Sequence, residues 1–134
     1  HHDSRRFEVA TSCVPLMAGL RCSLDLLEQE GSSDERLKRI RSLSEQVWSN
    51  LRTIPGVSPL LDGPPPAGLV SFQMVPKATG ATPAEVVKTL GEQQLWIRDL
   101  ADPVCLRACT HICTSQNDIA QLTDQIRTLS SMGS

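Results

Sequence analysis

Pro103-Val-Cys-Leu-Arg-Ala-Cys-Thr-His-Ile-Cys-Thr114, followed directly by Ser115-Gln-Asn-Asp-Ile-Ala-Gln-Leu122, decides how the chain folds. Successive side chains of a strand point to opposite faces. Over residues 104–113 this puts Leu106, Ala108, Thr110 and Ile112 on one mostly apolar face, suited to a core. Cys105, Arg107, Cys109, His111 and Cys113 fall on the other. An oily face backed by an arginine, a histidine and thiols marks a strand that can carry a site. A helix follows. Ser115 and Asp118 have the spacing of an N-cap pair, with Asp in place of the preferred Glu. Ile119, Leu122, Ile126 and Leu129 then recur at helical intervals.

Upstream, Leu95–Asp99 reads as a short strand, with Leu95 and Ile97 set against Trp96 and Arg98. Its short link to the next strand predicts an antiparallel pair. Thr82-Pro83-Ala84-Glu85 is a helix start: a cap, a proline at the first position and a glutamate at the third. That helix runs to about Gln93, with Val86, Val87 and Leu90 inward. Residues 67–75 read as a strand, with Val70, Phe72 and Met74 on one face and Ser71 and Gln73 on the other. The proline-rich stretch 57–66 is a connection within one domain.

Two helices open the chain. Residues 34–53 repeat Leu37, Ile40, Leu43, Val47, Leu51 and Ile54 at threes and fours, with Ser32 and Glu35 at capping-box spacing. Residues 14–29 carry the stripe Leu16, Leu20, Ser23, Leu24 and Leu27, and Gly31 is a good stop. The resulting order is helix, helix, strand, helix, strand, strand, helix. It predicts an α+β fold, a small sheet of about three strands covered on one face by about four helices.

Bulk composition excludes several functions. The 134 residues carry a net charge of −2, which leaves no basic footprint for nucleic acid or an anionic membrane. No apolar run approaches the ~20 residues of a membrane span. Phe7, Phe72, Trp48 and Trp96 are the only aromatics, too few for a base-stacking platform. Five cysteines at irregular spacing suit reduced thiols in a cytoplasmic protein rather than a disulfide framework. His1-His2 without a methionine looks like a tag remnant. Residues 1–4 are therefore expected to be a disordered start, and 5–131 one domain.

The site strand admits several chemistries. Zinc takes Cys and His in a tetrahedron. Alternate residues of one straight strand are ~7 Å apart, so they need ligands from a second segment, and no CxxC or HxxxH supplies them. A reactive thiol at Cys105 or Cys109 would need a basic neighbour such as Arg107 or His111. Arg107 itself must find an anion, because a guanidinium beside an apolar core is costly unpaired. Either an acid of this chain supplies it, or a substrate carboxylate does, in a two-pronged grip. Arg98 on the adjacent strand offers the same choice. His111 is more often structural than a base. No Gly-rich phosphate loop, no GxSxG and no paired carboxylates on one helix face appear.

Three pieces carry a resemblance: Arg6-Phe7-Glu8-Val9-Ala10-Thr11, Leu95-Trp-Ile-Arg98, and Leu106-Arg107-Ala-Cys-Thr-His111 leading into Thr114-Ser-Gln-Asn-Asp-Ile119. In this order the chain resembles, over nearly its whole length, the C-terminal part of class V aminotransferase-family enzymes. These depend on pyridoxal phosphate and include cysteine desulfurases, cysteine/cystine C–S lyases and isopenicillin N epimerase-like proteins. The resemblance implies a small domain whose Arg107 binds the α-carboxylate of an amino-acid substrate, with Arg98 and His111 as weaker candidates. It implies that Arg6, Glu8 and Thr11 lie at a junction with a large domain, and that the parent is a homodimer. Ile112 stands where a tyrosine is common. The loop carrying the desulfurase cysteine is missing, and Cys105 does not match its motif. Both departures point toward a C–S lyase or epimerase-like relative.

Pyridoxal chemistry needs a lysine for the Schiff base. Lys38, Lys77 and Lys88 are the only ones, and none lies in the family's motif. The cofactor domain is thus expected to be absent, and the chain alone to bind no pyridoxal phosphate and to be inactive. Two rival expectations are a stand-alone domain that oligomerises through surface left uncovered, and a small zinc-binding domain.

Overall fold

The computed structural model describes residues 2, 3, 5, 13–75 and 80–131. The chain divides into two compact units, His1–Ser33 and Asp34–Ser134. Among the described residues there are four helices and four strands, and no helix is long and apolar enough to cross a membrane.

The first unit holds α1, Val14–Gln29. Pro15 takes its first turn, where the missing N–H has no partner to lose. The chain leaves the helix through Gly31 at φ 102, a conformation that costs glycine little. Leu16, Leu20, Leu24 and Leu27 are all exposed.

The second unit is an α+β layer. Its elements are α2 (Ser33–Arg52, opening at the boundary), β1 (Val57–Pro59), β2 (Leu69–Met74), α3 (Pro83–Glu92), β3 (Arg98–Ala101), β4 (Val104–Cys109) and α4 (Gln116–Ser131). The sheet runs β1-β2-β4-β3, antiparallel throughout. The expected sheet of about three strands gains a fourth, because Val57-Ser-Pro59 pairs with β2 inside the stretch read as connection. Three residues with a proline carry too little pattern to show as a strand.

Alternation on β2 and β4 builds the core. Val70 pairs with Ala108 and Phe72 with Leu106, and all four are buried on one face. Leu43, Val47, Trp48 and Leu51 of α2, Val86 and Leu90 of α3, and Ile119, Leu122 and Ile126 of α4 close over it. The second unit thus covers one sheet face with three helices. Polar ties fix the ends. The Arg41 Nε donates to the Pro66 carbonyl at 2.6 Å, and the Trp48 indole N–H to the Leu61 carbonyl at 3.0 Å.

Two strand boundaries move. Residues 95–97 are not paired, and β3 starts at Arg98. Gln94 takes φ 64, and Leu95 N–H donates to the Leu90 carbonyl, so this segment finishes α3 instead of extending the sheet. Leu95 and Ile97 still pack against the core, which is why they alternate like a strand. The expected strand over 104–113 stops at Cys109. Residues 111–114 form a turn in which His111 N–H donates to Thr114 Oγ1 at 2.9 Å.

Candidate functional site

The open side of the sheet follows from the same alternation. Ser71 of β2, Arg107 of β4 and Arg98 of β3 stand in one row across three strands: Ser71 pairs with Arg107, and Arg107 with Arg98. Residues directly opposite in an antiparallel pair hold their Cβ atoms about 5 Å apart, on the same face. Their row neighbours on the core side, Val70, Phe72, Leu106 and Ala108, are buried, so this row faces away from α2, α3 and α4. Arg107 and Ser71 are half-buried and Arg98 is exposed.

Two cations opposite one another repel. An acid between them would be the ordinary remedy, and none is there among the described residues. The ion pairs Arg5–Asp3 and Arg127–Asp124 involve neither Arg98 nor Arg107. Asp99 is next to Arg98 in sequence but pairs with Leu106, so it belongs to the opposite face. Neither guanidinium nor the Ser71 hydroxyl has a hydrogen-bond partner among the described residues. Such a row can grip an oxyanion, each guanidinium offering a planar fork of N–H donors.

The row is held firmly. The Gln73 side-chain amide, on the same face, donates to the Val104 carbonyl at 2.9 Å. Thr110 N–H donates to the Gly68 carbonyl at 2.7 Å. Ser115 and Asp118 cap α4 reciprocally: Ser115 N–H donates to Asp118 Oδ2 at 2.8 Å and Asp118 N–H to Ser115 Oγ at 3.1 Å. Hydrogen bonding to the carboxylate by the Ser115 backbone, and then by its side chain, holds the Asp118 carboxyl below its usual range.

The other expected residues distribute as follows. His111 is exposed in the turn past β4, beyond the alternation that would have aligned it with Arg107. Cys105 is buried, whereas Cys13, Cys22, Cys109 and Cys113 are exposed free thiols. Among the described residues no group of three His, Cys, Asp or Glu side chains could hold a metal ion. Arg6, Glu8, Thr11 and Lys77 lie outside the described residues. Ser71 was not singled out by the sequence. Its alternation with Val70 and Phe72 placed it on the polar face, but only the β2–β4 register sets it beside Arg107.

No sequence-family profile matches the chain, and no curated protein does. Solved structures do. The cystine C–S lyase C-DES, in complex with its reaction product cysteine persulfide, superposes with a TM-score of 0.84 at 38% identity, over 92% of this chain and 32% of C-DES. A C-DES mutant with glycine covalently linked to its pyridoxal phosphate cofactor gives the same score and identity, over 31% of that chain. The cysteine desulfurase CsdA of Escherichia coli shares the fold at a TM-score of 0.74 and 20% identity, over 32% of its length. The chain thus spans about a third of the proteins it matches. Its helix-backed antiparallel sheet and its 38% identity to C-DES over 92% of its residues bear out the resemblance to the C-terminal small domain of class V aminotransferase-like enzymes.

Proposed function

We propose that the chain is the substrate-carboxylate-binding domain of a pyridoxal-phosphate-dependent C–S lyase acting on a sulfur-containing amino acid. The observation that carries this reading is the unpaired row of Arg98 and Arg107. Arg107, half-buried and central in the sheet, grips the α-carboxylate. Arg98, on the edge strand and more exposed, takes a second anionic group. C-DES is described as a cystine lyase, and cystine carries two carboxylates, which suits two guanidiniums better than one. An epimerase-like relative would need only one.

This chain does not itself fit the cofactor. Lys38 and Lys88 are exposed on α2 and α3, away from the arginine row. What it contributes is binding and orientation: a fixed carboxylate lowers the entropy cost of presenting the rest of the substrate to a reactive centre. The Schiff-base lysine then belongs to further polypeptide, and the working enzyme is a cytoplasmic homodimer. The test is kinetic. In the full-length enzyme, Arg107→Ala should raise KM for cystine with kcat nearly kept; no change in either constant would remove the assignment.

A second reading is favoured by one observation. The exposed leucines of α1 form a stripe that association would cover. On that reading the chain alone oligomerises. Sedimentation of the 134-residue chain as a strict monomer at high concentration would exclude it.

A further inference from the structure

We propose that the Arg98–Arg107 row also binds a tetrahedral inorganic dianion, sulfate or hydrogen phosphate, and that this anion inhibits by occupying the place of the amino acid's carboxylates. The inference deepens the carboxylate reading and rests on it for the inhibition, though not for the binding.

Three features of the row support it. The two guanidiniums are Cα partners on adjacent strands, so their forks can converge on one small anion. Neither is neutralised by an acid among the described residues, so the pairing by itself sets two like charges opposite one another. Arg107 is half-buried, so its charge is less screened by water than one at the surface. A carboxylate carries one charge and two coplanar oxygens. A tetrahedral dianion carries two charges and can give a pair of oxygens to each fork, so one ion relieves the repulsion that one carboxylate would halve. Ser71, next in the row, offers a hydroxyl donor that has no partner among the described residues.

The experiment needs only the chain for its first arm. Its melting temperature is followed against sulfate, and separately phosphate, with chloride at matched ionic strength as reference. A rise of about 5 °C is expected at roughly ten times the dissociation constant. In Arg107→Ala and Arg98→Ala the shift, measured from each variant's own baseline, should vanish or need at least about tenfold more anion. Arg107→Lys keeps the charge without the fork and serves if the alanine variant is unfolded; it should lose most of the shift. Equal shifts in wild type and variants would be the general stabilisation by excluded salts, and would overturn the proposal. The order of the two dissociation constants identifies the preferred anion.

The second arm measures cystine cleavage by the full-length enzyme. The anion should raise KM and leave kcat unchanged. If Arg107→Ala raises KM but the anion neither stabilises nor competes, the anion site fails and the carboxylate reading stands. If the anion stabilises through both arginines while Arg107→Ala leaves KM alone, the site stands, but inhibition and the carboxylate reading fail.

Discussion

Arg98 and Arg107 face each other across β3 and β4 as direct partners, with no acid among the described residues to separate them. Sheets ordinarily avoid this arrangement. On the proposed reading, the substrate's carboxylate brings the missing negative charge. Losing one charged bidentate contact of this kind costs about 1.5–3 kcal/mol, roughly 10- to 150-fold in binding. Arg107→Ala in the full-length enzyme should therefore raise KM for the amino acid by that factor. Arg98→Ala should act less on an amino acid with one carboxylate than on cystine. Steady-state kinetics on both substrates separates the two residues.

Much of this site could be read from residue order alone, and the rest could not, for physical reasons. Alternation around Leu106 and Ala108 is local, and it placed Arg107 opposite the core without any partner strand. Which residues stand beside Arg107 depends on register, set by pairing with β2 some thirty-six positions away and by the length of the β3–β4 turn. Hence Ser71 was missed. The alternation also ran too far. His111 and Cys113 keep the pattern, but the chain turns after Thr110, whose N–H goes to Gly68, and the turn closes on Thr114. Leu95 and Ile97 mimic a strand because two alternating apolar residues can be buried by a helix exit as well as by a ladder.

The two reciprocal caps predict an acid-side dependence. Hydrogen bonds from Ser115 hold the Asp118 carboxyl below its ordinary range, and those from Thr82 do the same for Glu85, the backbone bond leading in each case. Both folded-state values are depressed relative to the unfolded chain. Their stabilisation is therefore complete above the unfolded values and fades as pH falls through the folded ones. Melting temperature should drop below about pH 4. Ser115→Ala and Thr82→Ala should lower it by a few degrees near neutrality and flatten that acid limb. An acid limb unchanged in the double variant would show that other carboxylates govern it.

Phe72 is fully buried in the core of the second unit, on the helix-facing side of β2 beside Val70. Phe72→Ala should cost about 3–5 kcal/mol, the usual range for removing a buried ring. Chemical denaturation checks it. The exposed Leu69, on the same strand but the other face, should tolerate Leu69→Ala with a change of less than about 0.5 kcal/mol.

Thiol reactivity should divide the cysteines as burial does. Cys105 is 1% exposed, and Cys13, Cys22, Cys109 and Cys113 are open. A thiol-exchange reagent should titrate those four quickly in the native chain and reach Cys105 only on unfolding. Fast reaction of all five would show that β4 opens at its β3 end, and the arginine row with it.

Gly68 couples the start of β2 to the end of the site strand. A Cβ there would lie 2.2 Å from the Thr110 carbonyl and 2.9 Å from Ile40 Cγ2. The first contact is with backbone, so a rotamer change cannot relieve it. The same residue's carbonyl accepts the Thr110 N–H, so any displacement also weakens that bond. Gly68→Ala should therefore destabilise by about 1–3 kcal/mol. Gly63→Ala, where nothing lies within 4 Å, should leave stability nearly unchanged. Because Leu69 pairs with Cys109 and Ser71 with Arg107, the strain enters the ladder two pairs from the guanidinium. In the full-length enzyme Gly68→Ala should then raise KM more than its loss of stability explains, at temperatures where the variant remains folded. A variant with lowered melting temperature but unchanged KM would show that the row adjusts independently of the strand end.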